Sequence, residues 1–261
     1  MDDPEAGRYW DANADVWTRL SRAGYDVYRD LINSPAFFAA LPDVAGLRGL
    51  DIGCGEGHNT RALRERGAAV VAIDISPRFV RLARDAEPEG PTAIRFAIAS
   101  GQALPFAEST FHFATAFMSL MDMPRPEVAL REVRRVLRPS GFLQFSILHP
   151  CGFTPHRKQK KTEGGRVLAI ETAGYFDPPE GHIDEWLFSA APREVKQGLP
   201  PFRVPAFYRT LAFWLNAVIR AGLQIEYVEE PHADLSTAEK HPVVADTRIA
   251  PYFLHVRCRR M

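Results

Sequence analysis

The sequence predicts an α/β fold: a doubly wound, mostly parallel seven-stranded sheet with an antiparallel last strand and a cap inserted after strand five. Three observations predict it. Short apolar runs alternate with helical patterns through the first 150 residues, a Pro- and Gly-rich stretch at 150–204 breaks that rhythm, and the final segment alternates apolar with polar side chains. Strand–helix alternation specifies a parallel sheet covered by helices on both faces.

Residues 1–45 carry Tyr9, Trp10, Trp17, Tyr25, Tyr28, Phe37 and Phe38 spaced among polar residues. The spacing predicts amphipathic helices, an N-terminal helical cap. The core is expected over 46–149. It opens with the strand Leu47–Ile52, which runs into glycines, followed by a helix from Asn59 to Arg66 that stops at Gly67. Ala69–Ile73 is a continuous β-prone run, as a strand buried on both faces requires. Ser76 and Pro77 are the N-cap and first residue of the next helix. Strands follow at Ile94–Ile98 and Phe111–Met118. From Pro126 to Arg138, Leu130, Val133, Val136 and Leu137 recur at helical spacing. Pro139-Ser140-Gly141 breaks that helix before the strand Gly141–Leu148.

Residues 150–204 read as an inserted cap with two strands, Arg166–Thr172 and His182–Phe188, and a basic run, His156 to Lys161, expected to be a solvated loop. The core is completed over 205–261: a helix Pro205–Ala221 ended by Gly222, the strand Leu223–Val228, and a last strand. There Leu254, Val256 and Cys258 alternate with His255, Arg257 and Arg259, a one-sided pattern that suits an antiparallel strand.

Composition narrows the function classes. Hydrophobic residues make up 46% of the 261 and charged residues 25%, as in ordinary globular proteins. Lys+Arg and Asp+Glu balance at 32 each, so no global field draws nucleic acid or an anionic membrane. Three scattered cysteines make no disulfide framework. The opening residues do not read as a secretory signal, and no apolar stretch approaches the roughly 20 residues that span a bilayer. The expectation is a cytoplasmic enzyme.

The strongest chemical signal is Asp51-Ile52-Gly53-Cys54-Gly55-Glu56-Gly57, between a strand and a helix. Alternate glycines permit a sharp turn and let a ligand approach the backbone. Asp74, at the end of the second strand, can accept hydrogen bonds from both hydroxyls of a ribose. A dinucleotide site wants G-x-G-x-x-G, but here the third glycine comes one residue early and His58 holds the sixth position. Glu56 would repel a pyrophosphate and tolerate a sulfonium amino acid. The spacing favours S-adenosylmethionine over NAD.

The segment Asp51–Gly57 resembles the first motif of class I S-adenosylmethionine-dependent methyltransferases, particularly the small-molecule group related to the ubiquinone-biosynthesis methyltransferases. Ala103-Leu104-Pro105-Phe106 and Val136-Leu137-Arg138-Pro139-Ser140-Gly141 are similar to two later segments of that group. The resemblance spans roughly 45–150. It implies methyl transfer, with Gly53, Cys54 and Gly55 on the methionine part of the cofactor, Asp74 on the ribose and Ile75 on the adenine. It also implies Ser100, Gly101, Gln102 and Ala103 along the adenine edge, and Phe117 and Met118 as a floor near the sulfonium. Asp51 and Gly57 belong to the same motif. Two residues depart from the pattern: Ser100 stands where many relatives have Asp, and His112 replaces an Asp after the Phe of strand four. His112 is expected to precede the strand and to be structural.

Ligands of an open α/β sheet bind at the carboxyl ends of its strands. His149, directly after strand five, and Asp122, after strand four, are therefore the candidate catalytic residues. The alternative is a backbone-satisfying histidine in a His-Pro turn and a capping or turn aspartate. His149, Cys151 and His156 are too unevenly spaced for a zinc site, and no metal is expected. Cys54 is expected to be a small residue fitting the turn. The N-terminal aromatics, with Arg29 near the cofactor's carboxylate, and the cap imply an enclosed pocket for a small-molecule acceptor. Alternatives are a tRNA or protein acceptor, supported by the basic run, a catalytically silent cofactor-binding module, and an NAD-linked oxidoreductase.

Overall fold

The computed structural model describes residues 1–88, 90 and 94–261. The chain opens with α1 (Asp3–Arg22), capped by the Asp2 carboxylate on the Glu5 N–H, then a π-helical turn at Arg29–Asn33 and α2 (Ser34–Ala40). The core follows as β1 (Arg48–Ile52), α3 (His58–Glu65), β2 (Ala69–Asp74), α4 (Pro77–Asp85), β3 (Arg95–Ile98), β4 (Phe111–Phe117), α5 (Pro126–Val136) and β5 (Leu137–Leu148). Ser76 caps α4 by accepting the Phe79 N–H, with Pro77 behind it. Residues 150–210 hold β6 (His156–Lys161), β7 (Val167–Ala173), β8 (Ile183–Trp186), the single turn α6 (Arg193–Lys196) and β9 (Phe202–Pro205). The chain ends with α7 (Leu211–Arg220), β10 (Leu223–Glu229), α8 (Leu235–Lys240), a 3₁₀ segment at Pro242–Arg248 and β11 (Phe253–Arg260).

Seven strands form one sheet in the order β10-β11-β5-β4-β1-β2-β3. The five strands of the first half pair in parallel, and β11 runs antiparallel to both β5 and β10. The order reverses between β1 and β4, the switch point where such sheets open a crevice at their carboxyl edge. The central strands are fully buried through Leu50, Ile52, Ala114, Ala116, Leu143, Phe145 and Ile147. Gly49 is required there: a Cβ would lie 2.2 Å from Phe113 Cζ.

The structure departs from sequence expectation in several places. No helix joins β3 to β4 among the described residues, so the alternation is one helix short. Pro139-Ser140-Gly141 lies inside β5, where the pairing with β4 shifts register and Ser140 takes φ 63°. The break is a bulge within the strand. His112 is the second residue of β4; its Nδ1 accepts the Arg48 N–H at 3.0 Å, at the strand's amino end. The basic run is strand β6, paired with β7, and its Arg157 and Gln159 side chains reach inward to Asp246. The helix expected from Pro205 begins at Leu211, where Thr210 caps it, and Pro205 closes β9. The antiparallel β11 is buried on both faces along its first half, His255 included. No described helix is long and apolar enough to cross a membrane.

Candidate active site

The glycine loop turns sharply off β1. Gly53, Gly55 and Gly57 all have positive φ, at 70°, 55° and 86°. At Gly53 a Cβ would also meet Ser119 Cβ at 2.3 Å, whereas Gly55 has open space around it. The Gly53 and Cys54 N–H groups donate to Ile73 O at 2.8 and 3.0 Å, tying the loop to β2. One Asp74 oxygen accepts the Gly55 N–H at 2.8 Å and the other the Ser76 N–H at 2.9 Å. Burial pushes this carboxyl up to about 6, against the pull of those two amides.

Asp51 faces away from the loop's mouth. Its carboxylate accepts the Thr60 and Thr115 hydroxyls at 2.6 and 2.8 Å, joining β1 to α3 and β4. Burial raises its pKa as well. Gly57 packs toward Arg61, Phe96 and Ala83. Burial, with Asp74 nearby, drives the Cys54 thiol well above its ordinary range, so it stays protonated.

A cavity of about 530 Å³ opens over this carboxyl edge. Of the residues singled out from the sequence, Gly53, Cys54, Gly55, Asp74, Ile75, Gly101, Phe117, Met118 and Asp122 line it. Asp51, Gly57, Ser100, Gln102, Ala103 and His149 do not. Helix α1 forms one wall. Gly7 lies against Ile75 so closely that a Cβ would be 3.0 Å from Ile75 Cγ1. Asp3 accepts hydrogen bonds from the Ser100 hydroxyl and the Gln102 amide, and Asp11 accepts the Ser76 hydroxyl at 2.6 Å. The helix thus docks across the ends of β2 and β3, and the carboxylate at the Ser100 position comes from Asp3.

The far end is aromatic. The Trp17 ring lies 5.4 Å from Trp186, 5.0 Å from Phe188 and 4.8 Å from Phe202, uniting α1 with β8 and β9. Tyr28 stacks on Tyr252 at 4.6 Å. The Tyr28 hydroxyl donates to Asp246 at 2.9 Å, where Gln159 and Arg157 also donate at 2.8 and 3.3 Å. Two side chains of the basic run therefore hold the cavity's rim from behind. Asp246 and Tyr252 gave no sequence signal beyond their residue types. Arg29 lines the cavity with its guanidinium held by Ser21 and, at 2.7 Å, by Asp30.

The two candidate catalytic residues part company. Asp122 sits in a 3₁₀ turn, where its N–H donates to Ser119 O at 3.1 Å; its carboxylate lines the cavity, caps no helix and has no side-chain hydrogen bond among the described residues. Burial holds its carboxyl well above the ordinary range, opposed by Arg209, which itself donates to the carbonyls of Met121, Met123 and Pro124. His149 is buried behind the cavity wall. Its Nδ1 accepts the Cys151 N–H at 3.2 Å, and its Nε2 lies 2.9 Å from Glu230, an ion-pair distance without hydrogen-bond alignment. Burial lowers its pKa, outweighing Glu230. This is the backbone-satisfying arrangement of a tight turn, since His149 O also accepts from Gly152 and Phe153.

A family model described as a methyltransferase domain matches residues 50–145. A ubiquinone biosynthesis O-methyltransferase of Xanthomonas oryzae pv. oryzae is 33% identical over 152 residues, 57% of this chain. The matched region spans 60% of that relative's length. A protein of the same name from Xanthomonas campestris pv. campestris is 32% identical over 214 residues, covering 82% of this chain and 78% of the relative. Among solved structures, an S-adenosylmethionine-dependent methyltransferase from Mesorhizobium loti is similar with a TM-score of 0.69 at 30% identity, covering 87% of this chain and 96% of that one.

Proposed function

The chain belongs to the class I S-adenosylmethionine-dependent methyltransferases, and from that premise we propose that it methylates an oxygen or nitrogen of a small-molecule acceptor enclosed beneath the aromatic cap. The observation that carries this reading is a single cavity running from the glycine loop and Asp74 to Trp17, Trp186 and Phe188. Such enclosure suits a small molecule better than a polymer. The inward use of Arg157 and Gln159 weakens the case for a nucleic-acid acceptor.

The residues present fit the family's cofactor. Gly53 and Gly55 leave the backbone open to a ligand, and the carboxylates of Asp26 and Asp74 on the cavity wall favour a cationic sulfonium over a pyrophosphate. When bound, S-adenosylmethionine supplies the methyl group and its own leaving group. The chain's work is then to orient and to exclude water. Asp74 would release its two amides to receive the ribose hydroxyls, Ile75 would pack on the adenine, and Gly53 to Gly55 would follow the methionine part. Phe117 and Met118 form the floor. Asp122, whose carboxyl lines the cavity, would take the proton of a hydroxyl or ammonium acceptor.

Incubation with S-adenosylmethionine carrying an isotopically labelled methyl, against a panel of hydroxyl and amine aromatics, tests the proposal by mass spectrometry. Labelled product from at least one panel member is the expected result. Cofactor binding with no product from any of them would leave a silent binding module as the better reading.

A further inference from the structure

We propose that Asp184 and Trp186, two residues apart on β8, form a subsite for an ammonium group of the acceptor. The proposal rests on the methyltransferase reading above and narrows its substrate class to compounds that carry a cationic amine. Alternate side chains of a strand share one face, and on β8 that face lines the cavity through both residues. Val204, opposite Asp184 on β9, lines the same wall. Both contacts of the Asp184 carboxylate fall on one oxygen: the Tyr208 hydroxyl donates to Oδ1 at 3.4 Å, and His182 Nε2 lies 3.1 Å from it. Burial, with Asp184 beside it, pushes the Tyr208 pKa up to about 12, so the phenol keeps the proton it donates. No donor among the described residues reaches Oδ2. The His182 and Asp184 side chains are 44% and 33% exposed, and a pair that open to solvent is too weak to cancel the carboxylate's charge. Trp186 next to it is held edge-on by Trp17 at 5.4 Å and by Phe188 at 5.7 Å. A carboxylate beside an aromatic ring is the pairing that receives an ammonium group.

The cavity offers nothing comparable to an anionic acceptor. Arg29 is the only lysine or arginine among the described residues that line it, and its guanidinium is flanked by Asp30 at 2.7 Å and Asp26 at 3.7 Å. The field at the cap end therefore favours a positive group. The chain also ties this subsite to the candidate base. Tyr208 and Arg209 are consecutive: the first reaches Asp184, and the second donates to the carbonyls of Met121, Met123 and Pro124, which flank Asp122. Asp184 and the turn that carries Asp122 thus stand on either side of one short segment. Phe153, which lines the cavity, packs its ring 4.9 Å from that of Tyr208. An ammonium held by Asp184 stays protonated and has no lone pair to methylate. The atom that receives the methyl is then a second group of the same acceptor, a hydroxyl or another amine presented to Asp122.

Calorimetry on protein saturated with S-adenosylhomocysteine compares three phenols of similar size. Tyramine carries an ammonium, para-ethylphenol lacks it, and para-hydroxyphenylpropionate has an anion in its place. Wild type should bind tyramine about tenfold or more tighter than para-ethylphenol, and the propionate weakest of the three. Asp184→Asn keeps the size of the side chain and an oxygen for Tyr208 while removing the charge. In that variant tyramine should fall to the affinity of para-ethylphenol, while para-ethylphenol and S-adenosylhomocysteine stay within about threefold of their wild-type values. Equal wild-type affinities for tyramine and para-ethylphenol overturn the proposal, as do tighter binding of the propionate or no detectable binding of tyramine. A tyramine preference that survives Asp184→Asn overturns it too, as does a loss of S-adenosylhomocysteine affinity equal to that of tyramine. Should Asp184→Asn fail to fold, judged by its thermal midpoint, Trp186→Leu is read for the same loss of preference. Wild-type protein that binds no S-adenosylhomocysteine removes the methyltransferase reading itself, a separable result.

Discussion

One carboxylate oxygen of Asp74 accepts the backbone N–H of Gly55 at 2.8 Å, joining the end of β2 to the turn after β1. Folding raises this carboxyl from 3.8 to about 6, so between those values the folded chain holds a proton that the unfolded chain has released. The ligand-free protein should therefore gain stability from this group as pH falls through 6. On the proposed ribose role of Asp74, affinity for S-adenosylhomocysteine should move the other way, because only an ionised carboxylate can accept from both ribose hydroxyls. Calorimetry from pH 8 to 5 should show weakening below about 6, and Asp74→Asn should flatten its share of that slope. Asp26, which burial also raises to about 6, lines the same cavity and titrates over the same range.

Asp3 binds Ser100 and Gln102 from the first turn of α1. Asp3→Ala should loosen that turn and lower cofactor affinity by about three- to tenfold, as expected for loss of charge-assisted hydrogen bonds at a partly exposed site. Hydrogen exchange in residues 3–10 should rise in parallel. Unaltered exchange would mean that Gly7 against Ile75 and Asp11 on Ser76 suffice to hold the helix.

Asp122 faces the cavity and His149 does not. With a productive acceptor, Asp122→Asn should reduce kcat by about 10²-fold or more while S-adenosylhomocysteine affinity stays within about threefold. His149→Ala should keep kcat and lose thermal stability. The opposite pattern would return the base role to His149.

Gly53→Ala tests the loop's backbone. It combines a positive φ with a Cβ 2.3 Å from that of Ser119, and should cost roughly 2 kcal/mol or more of folding stability in a denaturant titration. Gly55→Ala shares the positive φ but meets nothing within 4 Å, so it should cost less.

What was legible in the sequence was local. Positive φ demands glycine, which is why Gly53, Gly55 and Gly57 announce a turn; burial on both faces demands continuous apolar runs, which is why β2 and β5 were visible. The glycine loop and Asp74, which line one end of the cavity, followed from these. Asp51 was part of the same motif, yet its side chain turns to Thr60 and Thr115, because the period of β1 points it away from the mouth.

The remainder depends on contacts between distant segments. Asp3 reaches residues 97 and 99 positions away, and Asp246 gathers Tyr28, Arg157 and Gln159. No periodicity encodes such pairings. His149 shows the same limit: its position after β5 is local information, but its orientation is set by Glu230 and by Tyr252 O, which accepts the His149 N–H at 2.9 Å. The basic run read as a solvated loop because the buried acid that receives its side chains lies 87 residues downstream of Gln159.

The most direct test of the account is calorimetry of wild type and Asp74→Ala with S-adenosylhomocysteine and with NAD. Wild type should bind S-adenosylhomocysteine one-to-one, Asp74→Ala should lose about ten- to a hundredfold in that affinity, and neither should bind NAD. Tight binding of NAD, or S-adenosylhomocysteine affinity indifferent to Asp74, would contradict it.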